Sequence, residues 1–187
     1  LMVGDDFKFG KERSGDFDFL SNWGQNNKIE VDRVPTYSFD DRRVSSTWIR
    51  ESIAEGDFEL AEKLLDRRYT FSGKVVSGNK LGRTIGIPTA NIWVPKSNLP
   101  IRGVYAVKAF LKGETFNGIA NMGVRPTVGG TSPVLEIHIF DFNKNIYGQR
   151  IEVEFYKKIR EEKKFNDLNE LKDQISKDIE LAKEFLN

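Results

Sequence analysis

Between Gly78 and Asn91 the chain reads Gly-Asn-Lys-Leu-Gly-Arg-Thr-Ile-Gly-Ile-Pro-Thr-Ala-Asn. Gly78, Gly82 and Gly86 recur every four residues, so backbone N–H groups can approach a phosphate with no side chain in the way. Taken alone, such glycines read first as ordinary turn punctuation. Pro88-Thr89-Ala90-Asn91 shifts that balance. Pro88 fixes the backbone, and Thr89 and Asn91, two apart in an extended chain, point the same way. A hydroxyl beside a carboxamide suits a hard cation together with phosphate oxygens. Arg83, inside the glycine stretch, reads equally as a phosphate ligand or a solvated cation. No Gly-Lys-Ser/Thr follows at Walker A spacing, and no βαβ pattern surrounds the glycines.

A second group lies in the run Val134 to Phe140. Leu135, Ile137 and Ile139 alternate as a strand's core face, which puts Glu136 and His138 on the other face. By pattern alone that face is a solvated strand surface. The single histidine, His138, is read as a structural bystander.

These residues need elements to hold them. Ser45-Ser46-Thr47 offers N-caps to a helix over Trp48–Ala54, with Gly56 beyond it. Asp57 caps a second helix carrying Leu60, Ala61, Leu64 and Leu65. From Tyr69 onward the pattern turns to short strands bounded by Gly, Asn or Pro: 69–76, 103–110, 116–122, 134–140 and 151–156. Several strands at this spacing predict a small antiparallel barrel. Leu168, Leu171, Ile175, Ile179, Ala182 and Leu186 then step at helical spacing, and Asp167 with Glu170 caps the start.

Composition narrows the classes. In 187 residues, 39% apolar, there are 14 Phe, three Trp and five Tyr, which argues for a packed core. A net charge of +1 offers no basic field for nucleic acid. The absence of cysteine excludes disulfides, thiolate metal sites and Cys nucleophiles. No apolar run approaches about 18 residues, and no signal-like start is seen. We expect a cytoplasmic chain acting on small molecules, with no membrane and no nucleic-acid partner. Leu1-Met2-Val3-Gly4 opens directly in a strand-like run, so we also expect an upstream segment.

Gly-Ile-Pro-Thr-Ala-Asn after a glycine-rich loop resembles the signature of the riboflavin kinase family. Gly103-Val104-Tyr105, Asn121 to Thr127, Leu135 to Phe142, Tyr147-Gly148 and Arg160 to Phe165 follow in the family's order. The resemblance covers residues 69–187. It implies a mainly β fold: a six-stranded antiparallel Greek-key barrel with a C-terminal helix. It also implies ATP on Mg²⁺, riboflavin as acceptor and FMN as product. The family's catalytic carboxylate matches Glu136, and its phosphate and metal residues match Thr89 and Asn91, near Gly78, Gly82, Arg83 and Gly86. Arg160 and Phe165 match the flavin-side loop, and Arg125 to Gly130 matches a flap.

Residues 1–68 resemble the end of a bacterial FMN adenylyltransferase (FAD synthetase) domain, an α/β nucleotidyltransferase. Val3 to Lys11 with Gly15-Asp16 matches one landmark, and Arg43 to Arg50 matches another. Ser46 and Thr47 at a helix N-terminus, flanked by Arg43 and Arg50, make an anion site for ATP phosphates. That domain's His-x-Gly-His motif has no counterpart here. The whole therefore resembles the C-terminal part of a prokaryotic bifunctional riboflavin kinase/FAD synthetase, with domains at 1–68 and 69–187. Two other readings stay open: a flavin- or nucleotide-binding module without turnover, and a barrel for single-stranded nucleic acid, which would want a basic aromatic groove.

Overall fold

The structure, a computed structural model, describes residues 1–78, 81–95, 99–127 and 130–186, and the side chains of all these except 81, 125–127, 130 and 131. Asn79 and Lys80 of the expected turn, and Val128 and Gly129 of the expected flap, lie outside the described residues. The chain divides into two compact units, Leu1–Ser46 and Thr47–Asn187.

In the first unit, β1 (Met2–Gly4) and β2 (Asp32–Val34) pair in parallel, with Val3 opposite Arg33, and helix α1 (Phe17–Asn26) connects them. A helical crossover between parallel strands is an α/β unit. Asp16 caps α1 by accepting from the Phe19 N–H at 3.0 Å. That bond, and then Lys8 at 3.2 Å, hold the Asp16 carboxyl below its usual range. A short hairpin of β3 (Ser38–Phe39) and β4 (Arg42–Arg43) follows.

Helices α2 (Ser46–Glu55) and α3 (Phe58–Leu65) come next, and Asp57 caps α3 through the Leu60 N–H at 3.0 Å. Ile53, Phe58 and Ala61 are buried in the same apolar cluster as the barrel interior. Phe58 lies 5.9 Å from Phe155 and 5.6 Å from Tyr105, ring centre to ring centre. Periodicity changes at 68/69, whereas packing divides between Ser46 and Thr47. An apolar helix face goes wherever it can be buried, and here the barrel core buries it.

The strands are β5 (Thr70–Val76), β6 (Ala90–Ile92), β7 (Gly103–Leu111), β8 (Glu114–Thr127), β9 (Gly130–Ile139) and β10 (Arg150–Arg160). They close a barrel in the order β10-β5-β6-β9-β8-β7, each neighbour antiparallel. Strands β7, β8 and β9 form a meander, while the β6–β7 and β9–β10 links cross over, as a Greek key requires. A short helix, α4 (Leu81–Thr84), stands within the glycine stretch. The mainly β reading and its five strands hold.

Helix α5 (Leu168–Leu186) starts with reciprocal capping. The Asp167 carboxylate accepts from the Asn169 and Glu170 N–H groups at 2.8 and 2.9 Å, and Glu170 accepts from the Asn166 N–H at 3.1 Å. Ala182 and Leu186 pack with Val104, Ala106, Ile119 and Phe140 outside the barrel. This explains why β7 reads Val-Tyr-Ala-Val without alternation: Tyr105 and Val107 fill the interior while Val104 and Ala106 meet α5. The Tyr105 hydroxyl donates to the Arg102 carbonyl and accepts its N–H at 2.9 Å, and burial pushes this phenol up to about 12. Among the described residues no helix is long and apolar enough to cross a membrane.

Ile137 is fully buried on β9. Ile137→Ala should therefore cost about 2–5 kcal/mol of unfolding free energy in a urea titration. Glu136→Gln, on the opposite face of the same strand, should stay within about 0.5 kcal/mol.

Candidate functional site

Alternation on β9 sends Leu135, Ile137 and Ile139 into the barrel and leaves Glu136 and His138 half-buried on its outer face. The register then supplies neighbours. Glu136 stands opposite Asn91 on β6 and opposite Asn121 on β8. Directly opposed residues share a face, with Cβ atoms about 5 Å apart. The carboxylate is thus flanked by two carboxamide-bearing positions. Asn121 was not among the expected site residues, because nothing short of the β8–β9 register points to it.

A cleft of about 180 Å³ opens over this face. Thr89, Glu136, Asn121, Arg160 and Phe165 line it, and Ile119, Leu171 and Ile175 give it an apolar wall. The expected catalytic carboxylate, threonine and flavin-side pair therefore come together. Arg83 does not line this cleft. It lines a second one of about 450 Å³, with Pro88, Phe142, Lys144 and Tyr147. Thr89 is common to both clefts.

Asn91 lines neither cleft. It is 5% exposed, and its carboxamide occupies the place a Cβ on Gly78 would take. At Gly82 a Cβ would fall on the Ile87 carbonyl oxygen. A side chain at Gly78 would meet β6, and one at Gly82 would meet the loop's own backbone, so each position needs a glycine. Gly86, at φ 81°, turns the chain back. The Ile87 N–H donates to the Gly82 carbonyl at 2.8 Å and the Gly86 N–H to the Arg83 carbonyl at 3.3 Å. Two of the loop's amides are therefore engaged within the loop itself.

Arg160 is held by the buried Asp178 of α5. Its Nε donates to both carboxylate oxygens at 3.0 and 2.9 Å, its Nη2 reaches Oδ2 at 2.8 Å, and its Nη1 donates to the Glu161 carbonyl. The Gln174 amide donates to Asp178 Oδ1 at 2.9 Å. The guanidinium carbon lies 5.7 Å from the Phe165 ring centre. This network ties β10, α5 and the intervening loop at the cleft's edge.

From sequence, His138 reads as a structural bystander. It lines the first cleft, and its Nδ1 lies 2.8 Å from the Pro88 carbonyl oxygen. Of the residues expected at the second anion site, Arg43 and Ser46 belong to the first unit, and Thr47 and Arg50 to the second. Arg43 pairs with Asp6.

Residues 65–186 match the family model for riboflavin kinase, and residues 1–48 match the model for FAD synthetase. The chain belongs to the riboflavin kinase family. It is 53% identical over 188 residues to a bifunctional riboflavin kinase/FMN adenylyltransferase of Haemophilus influenzae, covering all of this chain and 61% of that protein. It is 44% identical over 186 residues to the protein of that name from Escherichia coli K12, covering 99% of this chain and 59% of the other. The chain thus spans about three-fifths of these relatives' length. A Streptococcus pneumoniae crystal structure titled a macrolide-efflux protein superposes with a TM-score of 0.78 at 35% identity, over 96% of this chain and 58% of that one.

Among the described residues no group of three or more His, Cys, Asp or Glu side chains is placed to hold a metal. The donors near the glycine loop are a hydroxyl and a carboxamide. Of these the Thr89 hydroxyl lines both clefts and suits Mg²⁺, which keeps several waters and takes much of its coordination from substrate phosphates, whereas Asn91 lines neither cleft.

Asp178 is 1% exposed and neutralises a guanidinium that is 21% exposed. Asp178→Ala strands that cation, and should cost about 3 kcal/mol or more in denaturant unfolding, with Asp178→Asn costing less.

Proposed function

We propose that the Thr47–Asn187 unit transfers the γ-phosphoryl group of ATP to the terminal ribityl hydroxyl of riboflavin, giving FMN. The observation that carries this reading is the meeting of two clefts at Thr89, with Glu136 in the apolar one. The apolar cleft suits a flat tricyclic ring against Ile119, Leu171 and Ile175, with Arg160 and Phe165 at its edge. The second cleft, with Arg83 and Lys144, suits a polyphosphate whose outer end reaches Thr89.

Phosphoryl transfer asks a protein chiefly for alignment and charge neutralisation. Glu136 accepts the proton of the attacking hydroxyl as its oxygen bonds to the γ-phosphorus and the bond to the ADP oxygen breaks. Asn91 and Asn121, on either side in the sheet, keep that carboxylate facing the cleft. Arg83 and backbone amides of the glycine loop meet phosphate oxygens. Thr89, with Asn91 close by, would hold Mg²⁺, which when bound neutralises charge on the phosphates. A longer protein that joined this chain to a full adenylyltransferase domain would also adenylylate FMN, as the relatives' names say of them.

The assay is chromatographic separation of riboflavin, FMN and FAD after incubation with ATP and Mg²⁺. This chain should form FMN and no FAD, because its one histidine cannot supply a His-x-Gly-His pair. Glu136→Gln should cut turnover by about 10²-fold or more, and Thr89→Ala and Asn91→Ala should weaken productive nucleotide binding. Binding of both substrates without FMN would favour a non-catalytic flavin or nucleotide module, and near-normal turnover in Glu136→Gln would return that residue to the strand surface.

A further inference from the structure

The segment Ile87–Thr89 lies between α4 and β6, outside the sheet. Upstream it is tied by the Ile87 N–H to the Gly82 carbonyl at 2.8 Å. Downstream, Ala90 is paired with Ile137 in the barrel ladder. Between these ties Pro88 has no N–H to give, so its carbonyl is its one backbone group able to make a hydrogen bond. That carbonyl lies 2.8 Å from His138 Nδ1.

We infer that His138 is a positioning residue that sets the Thr89 hydroxyl relative to Glu136. The chemistry of the contact fixes its direction. A carbonyl oxygen only accepts, so Nδ1 carries the hydrogen, and the neutral ring is the Nδ1–H tautomer. The Pro88 carbonyl belongs to the planar Pro88–Thr89 peptide, so holding that oxygen also holds the Thr89 nitrogen and Cα. His138 sits two residues from Glu136 on the same face of β9. One strand therefore carries both the carboxylate and the clamp on the segment presenting Thr89. Phe140, its ring 5.8 Å from the imidazole, packs beside it. Because Thr89 borders both clefts, a shift in this segment alters the alignment of one substrate against the other.

This role rests on the kinase reading, and the test separates the two. Asparagine places an amide N–H near the Nδ1 position, whereas glutamine places its amide near Nε2. His138→Gln should lower kcat/KM for ATP by about tenfold or more, chiefly through kcat, as expected when bound substrates are misaligned. His138→Asn should lose no more than about threefold. Both variants should lower the melting temperature by similar amounts, so that stability does not account for the difference. In the unsubstituted chain, ¹⁵N spectra of the imidazole should show hydrogen on Nδ1. An unsubstituted chain that makes no FMN overturns the kinase reading and this role with it. A chain that makes FMN, but whose ring carries hydrogen on Nε2 alone or whose Asn and Gln variants behave alike, overturns the role of His138 and leaves the kinase reading standing.

Discussion

Strand β9 lies between β6 and β8, and its pairing with both leaves its side chains no choice of face. Leu135, Ile137 and Ile139 must enter the barrel, where exposure would cost each about 2 kcal/mol or more of apolar burial. A slip of one residue would drive Glu136 and His138 into that interior and expose all three aliphatics. The hydrophobic pattern therefore fixes where the carboxylate stands, and pairing then sets Asn91 and Asn121 beside it. The geometry of the site follows from the packing of residues that never touch it.

A second constraint acts from outside the barrel. Asn91 of β6 fills the space beside Gly78, and within the loop the Ile87 carbonyl fills the space beside Gly82. Sequence spacing alone left these glycines as turn punctuation. Their requirement is steric and comes from partners thirteen and five positions further along the chain. The same closeness buries the Asn91 carboxamide beside Gly78.

The legible parts are those whose signal is local. Alternation in Val134 to Phe140 and the three- and four-residue steps of Leu168 to Leu186 foretold β9 and α5, and Asp57 and Asp167 marked their helix starts. Helix α1 was not foreseen: its Gly24, Asn22 and Asn26 weigh against a helix, and parallel β1 and β2 are what require a crossover there. Helix α4 is a single turn whose glycine gives no helical pattern. The site residues divide the same way. Thr89 was reached from the Pro88 to Asn91 spacing and Glu136 through family resemblance, while Asn121 needed the register and His138 needed the Pro88 carbonyl. Asp178 did leave a trace. It interrupts the apolar stripe Ile175, Ile179, Ala182 of α5, and a carboxylate at a core-facing position calls for a buried cation.

That cation is Arg160, and the pairing bears on how the apolar cleft keeps its shape. The wall formed by Leu171 and Ile175 belongs to α5, whereas Ile119 belongs to the barrel. Apolar contact alone would let the helix slide by fractions of a turn, because dispersion is non-directional. A carboxylate receiving Nε and Nη2 of one guanidinium and the amide of Gln174 is directional, with each donor at a set angle. Burying such a pair adds little to net stability, since desolvation opposes the attraction. What it does supply is register between α5 and β10. The shape of the apolar cleft depends on that register, because its two walls come from different elements.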